Sequence, residues 1–195
     1  MFYRTAEGPD RKGGLPHSPF NAIVAPRPIG WISTRGSMGD NLAPYSFFNA
    51  VAYTPPQVIF ACDRKDTLRN VEETGVFAVN MVSRPLLEVM NATSAHFPRG
   101  TDEFAAVGIE KAACREIDCP RVAASPATLE CRLIQVVPLE GGADFLTIGR
   151  VEGIHLADEF IVDGRFDLSL VRPMGRLGYF DYAEVSELIE RRRPK

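Results

Sequence analysis

The sequence predicts a mainly β fold, a small antiparallel barrel with peripheral helices, on three observations. Sixteen glycines and fifteen prolines punctuate the first two-thirds of the 195 residues at short intervals and leave segments too brief for long helices. The apolar runs between them are of strand length, and two long alternating runs, 127–138 and 145–156, flank a Gly-containing turn. The helical stretches fall singly among the strands, without the β-α-β alternation of a parallel doubly wound sheet.

In chain order, 21–25 and 29–34 read as strands separated by Pro26-Arg27-Pro28, whose prolines cannot donate ladder hydrogen bonds. The polar turn 35–40 returns the chain as a hairpin partner over 41–53. After Pro55-Pro56, residues 57–62 form a buried strand around Val58, Ile59 and Phe60. The period then changes: Asp66 as N-cap candidate, Leu68 and Val71 on one face and Gly75 as C-cap predict a helix of about two turns. Strand chemistry resumes at 76–82. A helix with Pro85 in its first turn is expected over 85–95, a shorter one over 102–108. The runs 127–138 and 145–156 make a hairpin through Glu140-Gly141-Gly142-Ala143-Asp144, a short strand falls in 158–167, and 182–193 reads as a terminal helix with Val185, Leu188 and Ile189 on one face.

A net charge of −3 excludes a general nucleic-acid or anionic-membrane binder, which needs a clustered excess of Lys and Arg. Arg191-Arg192-Arg193 reads as a solvated terminus. Cys62, Cys114, Cys119 and Cys131 form no C-x-x-C pair, the histidines His17, His96 and His155 are far apart, and no metal site is expected. Met1 to Lys12 lacks signal-peptide character and no apolar run approaches the ~20 residues of a membrane span, so a cytoplasmic protein with reduced thiols is expected.

Two constellations carry chemistry. In Cys62-Asp63-Arg64-Lys65-Asp66-Thr67-Leu68-Arg69-Asn70 a strand end passes into a helix start, where free N–H groups and neighbouring cations suit a phosphate monoester; an ordinary surface helix behind a basic loop has the same pattern. Around 26–34 and 41–49, aromatic and small hydroxyl residues sit beside prolines, as a seat for a flat heteroaromatic ring requires, although Trp31, Tyr45, Phe47 and Phe48 also suit a core. The glycine spacings match neither a dinucleotide fingerprint nor a P-loop, and Ser46, His155 and Asp163 lack the G-x-S-x-G elbow of a hydrolase. His155 reads either as a core or interface histidine at a strand end or as a contributor near a cofactor face.

Together, PRPIGWIST (26–34), NLAPYSFFNAVAYTPP (41–56), RKDTLRNVEETG (64–75) with FAVNMVS (77–83), and LVRPMGRLGYF (170–180) resemble the flavin reductase-like family of FMN-binding split-barrel proteins, flavoredoxins included. The resemblance implies a six-stranded Greek-key split β-barrel over 20–180, after an N-terminal extension (1–19) and before a C-terminal helix and basic tail (181–195). It implies a homodimer with FMN near the subunit interface. By matching position, Ser33 and Thr34 contact the phosphate or ribityl chain, and Asn41, Leu42, Ala43, Pro44, Tyr45 and Ser46 border the ring. Lys65, Asp66 and Thr67 receive the phosphate, with Asn70 supporting that turn. The implied activity is hydride transfer from NADH or NADPH to FMN and onward to a flavin, a small molecule, a partner oxygenase or an electron-transfer protein. A flavoredoxin-like carrier with tightly bound FMN and no NAD(P)H activity is the alternative. In either case the cofactor supplies the redox chemistry, and no catalytic side chain is required. Asp63 departs from the family pattern, since a carboxylate beside a phosphate is unfavourable unless it turns away or pairs with Arg64.

Overall fold

The prolines and the short apolar runs leave the backbone few ways to satisfy its hydrogen bonds except antiparallel pairing, and pairing dominates the computed structural model, which describes residues 2, 3, 5 and 15–194. Most of the expected extension 1–19, and Lys195, lie outside the described residues.

The chain begins with a single turn, α1 (Phe20–Ile23), where a strand is expected: the amides of Ala22 and Ile23 both bond back to Pro19 O at 3.0 Å, and this segment has no strand beside it. Then follow β1 (Arg27–Pro28), β2 (Gly30–Gly36), β3 (Gly39–Tyr45), β4 (Phe48–Tyr53) and β5 (Pro56–Asp63). Helix α2 (Asp66–Thr74) ends at Gly75, whose φ of 72° is the left-handed conformation glycine adopts without strain. After β6 (Val76–Asn80), a 3-10 turn leads into α3 (Leu87–Ala92), and α4 (Glu103–Val107) follows an Asp102 N-cap. The rest is β7 (Lys111–Ala113), β8 (Pro120–Val122), β9 (Ala127–Pro138), β10 (Asp144–Leu156), β11 (Ile161–Val162), β12 (Arg165–Phe166), the one-turn α5 (Leu168–Val171), β13 (Met174–Arg176) and β14 (Tyr182–Glu184). Where a terminal helix is expected over 182–193, β14 pairs with β13, Val185 N bonds to Pro173 O at 2.9 Å, and no helix follows among the described residues.

Seven strands form the main sheet in the order β3-β2-β6-β9-β10-β5-β4, all antiparallel. That is one strand more than the six implied, because the run 41–53 breaks at Ser46-Phe47 into β3 and β4, which lie at opposite edges. A flat sheet would hold those edges about 29 Å apart, at roughly 4.8 Å per strand. Yet Tyr45 and Phe48 are three residues apart in sequence and can be separated by at most ~11 Å. The sheet therefore curls into a barrel whose seam is crossed by this linker; Phe47 O accepts from Ala61 N at 2.8 Å, and the Tyr45 and Phe60 rings meet across it at 5.4 Å. This is the split barrel.

Both faces of β2 are covered, so alternate residues feed two cores. Ile32 points into the barrel with Phe60, Phe77 and Cys131, and α2 closes that core with Leu68 and Val71. Trp31 points outward into a layer with Leu42, Met90, Phe104 and Val122, where its indole N–H donates to Thr93 Oγ1 at 2.9 Å. Each of these large side chains contributes roughly 1.5–3 kcal/mol by leaving water. Together they fix β3, α2 and the segment after α3 relative to one another.

Candidate functional site

The start of α2 is a cluster of unfilled donors. Lys65, extended, occupies the N-cap position without a side-chain capping bond, and the first helical bond runs from Arg69 N to Lys65 O, so the amides of Asp66, Thr67 and Leu68 precede the ladder. They face a cleft of ≈ 520 Å³ between β3 and the segment 93–99. Arg64, Lys65, Arg69 and Arg99 line it, with Asp63, Asp66 and Glu103 as its carboxylates.

Those carboxylates are already engaged, two of them by cations of the same cleft. Arg99 Nε lies 3.6 Å from Asp66 Oδ1. Asp66 Oδ2 accepts from Gly100 N at 2.7 Å and ties the helix start to the opposite wall. Asp63 pairs with Lys65 at 2.8 Å, while Arg64 pairs with Glu72 at 3.0 Å and lies over the Phe145 ring, so of the two arrangements open to Asp63 a pair with Arg64 is not the one found. These pairs are solvent-exposed and weak, and an arriving phosphate can recruit Lys65 at small cost. Among the described residues the Arg69 Nε–H donates only to Arg64 O, at 3.4 Å.

The β3 wall is held by a directed chain of hydrogen bonds. Tyr45 OH donates to Thr67 Oγ1 at 2.9 Å, Thr67 donates to Asn41 Oδ1 at 2.6 Å, and Asn41 Nδ2 donates to Glu103 Oε2 at 2.9 Å. The same Glu103 oxygen accepts from Leu42 N at 2.9 Å. Burial pushes the Tyr45 hydroxyl pKa up and keeps it neutral; burial also raises that of Glu103, against the pull of its donors. The result is a preorganised strand edge laid against a cationic helix start.

Of the sequence-derived residues, Asn41, Ala43, Pro44, Tyr45, Lys65, Asp66 and Thr67 line this cleft. Ser46 lies in a second cleft of ≈ 400 Å³ that shares Pro44 with the first. The structure does not bring Ser33, Thr34, Leu42 or Asn70 to the surface of either. The Ser33 hydroxyl donates to Pro120 O at 2.6 Å, Leu42 is core, and Asn70 Nδ2 donates to Thr34 Oγ1 at 3.1 Å, tying α2 to β2 rather than to the turn at Lys65–Thr67. His155 lies away from both clefts, hydrogen-bonded to Glu130 on β9. With Cys114 these two place ligand-type atoms within 4.8 Å of one another, but amides of Arg115, Glu116 and Ile117 already occupy the Glu130 oxygens.

The opposite wall, with Thr93, Ser94, His96, Phe97 and Arg99, escapes the sequence reading because the helix expected over 85–95 ends at Ala92. Its signal is the polar run Thr93-Ser94 followed by His96 and Arg99-Gly100 between two apolar helices.

The family model for the flavin reductase like domain matches residues 24–168. The 2-nitrobenzoate 2-nitroreductase NbaA of Pseudomonas fluorescens is 31% identical, with a TM-score of 0.83 over 90% of this chain and 88% of that one. Nitrilotriacetate monooxygenase component B of Bacillus cereus is 29% identical, with a TM-score of 0.86 over 93% and 95%. A putative flavin reductase with a split barrel domain from Shewanella frigidimarina is similar in fold, with a TM-score of 0.82 at 22% identity, covering 90% of each chain.

Proposed function

The chain belongs to the flavin reductase like domain family, and on that premise we propose that it binds FMN in the cleft between β3 and the start of α2. We infer an FMN-dependent oxidoreductase that takes hydride from NADH or NADPH and delivers electrons to a flavin, a small molecule or a partner protein. One observation carries the reading: the uncapped helix start, Lys65 and Arg69 converge on one cleft with the preorganised edge of β3. Bound FMN supplies reversible hydride and single-electron transfer. Lys65, Arg69 and the first amides of α2 hold its phosphate; Asn41, Thr67 and Tyr45 keep the β3 backbone in place; and the segment Ala43–Tyr45 borders the ring. The nitroreductase NbaA supports flavin-linked redox use, and the monooxygenase component B supports a partner oxygenase as acceptor. A homodimer is part of the proposal, supported by the exposed β4 edge.

Two measurements test it. FMN and riboflavin titrations into the full chain are expected to show FMN bound at least about tenfold more tightly, because only FMN carries the anion; equal affinities would remove the phosphate assignment. Anaerobic addition of NADH or NADPH to the loaded protein is expected to bleach the flavin within a turnover time. A flavin that binds but resists both nicotinamides would point instead to a carrier reduced by other proteins.

A further inference from the structure

The second cleft is cationic in a way the first is not. It borders β3, shares Pro44 and Ser94 with the proposed flavin cleft, and its lining includes Arg27, Arg176 and the aromatic side chains of Phe47, Phe180 and Tyr182. Among the described residues, two guanidinium groups and no carboxylate line it.

Arg27 is only 7% exposed. Its Nη1 donates to the carbonyls of Asn21 and Val24 and its Nη2 to Leu177 O at 2.8 Å, while Nε is buried with no partner. Among the described residues this buried charge meets carbonyl dipoles and the Phe47 ring, 5.7 Å away, and no counter-ion. Arg27 pairs with Arg176 across β1 and β13, and burial, then the charge of Arg176, lower the Arg27 pKa. Arg176 lies 4.5 Å from the Tyr182 ring and donates from Nη2 to Tyr179 O at 2.6 Å, leaving further donors at the partly exposed end of its side chain. An uncompensated pair of cations selects an anion, and the aromatic walls select a flat, apolar body.

We propose that this second cleft binds a planar aromatic carboxylate, its carboxylate on Arg176 with the field of Arg27 behind it and its ring among Tyr182, Phe180 and Phe47. The volume of ≈ 400 Å³ suits one substituted ring. That such a ligand is the electron acceptor rests on the flavin reading, since Pro44 borders both clefts; that it binds does not.

The test uses benzoate and its uncharged isostere benzamide, titrated into the full-length protein with and without FMN and followed by ligand-detected NMR. Benzoate is expected to bind at least about tenfold more tightly than benzamide, as a charge-assisted contact requires. Arg176→Gln should remove that preference and Arg176→Lys retain part of it, with FMN affinity within about twofold of wild type in both. Inorganic phosphate, the probe for the first cleft, should not displace benzoate. Equal binding of the two probes, a preference that survives Arg176→Gln, or displacement by phosphate would each overturn the proposal. Because Arg176→Gln can loosen the adjoining turn, nuclear Overhauser effects from the benzoate ring to Tyr182 in the wild-type protein are a second requirement, and their absence also overturns it. Failure of FMN to bind while benzoate passes would sink the flavin reading and leave the anion site standing.

Discussion

Glu130 is 1% exposed and still expected to be ionised, because the fold surrounds it with donors. Burial by itself would raise its pKa; the amides of Arg115 and Glu116, and His155, outweigh that and lower it. The carboxylate thus pins the 115–117 loop to the barrel. Glu130→Gln, which keeps the shape and loses the charge, is expected to cost about 2–4 kcal/mol at neutral pH, measured by urea unfolding. A folded pKa below the ordinary 4.5 gives stability that is full above about pH 4.5 and is lost as pH falls through the folded value, so the gap between variant and wild type should narrow progressively as the pH is taken below 4.5. A gap that stays constant across that range would show that the charge is not the source. At the cleft, Thr67 is a poor probe because its hydroxyl also holds Asn41 and Tyr45. Lys65→Ala with Arg69→Ala is the cleaner pair, and it should weaken FMN about tenfold or more while riboflavin changes little, read by fluorescence quenching.

Among the elements, β10 makes the tightest demand. Gly149 sits at a register shift against β9, and a Cβ there would meet Phe77 Cε1 at 2.7 Å, in the middle of the inner core. Gly149→Ala should destabilise by about 1–3 kcal/mol, with Phe77→Leu in the same chain recovering part of the loss in urea melts. This glycine shows where legibility ends: the strand is readable from alternation, but the partner ring that forbids a side chain comes from β6, far away in sequence. Helix α2 is readable from an apolar pair, Leu68 and Val71, and a C-cap glycine, Gly75, which are local signals; its start is off by one, since the N-cap is Lys65 and Asp66, the expected cap, is the first helical residue. Likewise 127–138 coincides with β9. The segment 182–193 has helical spacing, yet the open edge of β13 captures Tyr182–Glu184, a tertiary preference that no local pattern encodes. The cleft shows the same division: its β3 and α2 walls carry motifs, whereas Thr93 to Arg99 enters only because α3 stops early and turns back. Ser33 and Thr34 sit on the right strand, but β2 is covered on both sides, so their hydroxyls serve the packing.

At the scale of the molecule, the barrel leaves one edge strand uncovered: Asn49 to Tyr53 of β4 are all exposed, with Val51 at 52% and Tyr53 at 92%. Unpaired backbone and apolar side chains on an edge are the usual site of pairing with another chain. Sedimentation is therefore expected to show a dimer, and Val51→Lys with Tyr53→Lys should weaken self-association by about tenfold or more; a wild-type monomer at micromolar concentration would refute this. The Ser46-Phe47 linker bears on motion as well as shape. Asn41 and Ala43 to Tyr45 of β3 and Asp63 at the end of β5 face the proposed flavin groove from the two sides of the seam, so a molecule lying there acts as a clasp on the cylinder along that line. Filling the groove should then slow amide exchange in β3 and at the Asp63 end of β5 together, while β6 and β9, opposite the opening, keep their rates.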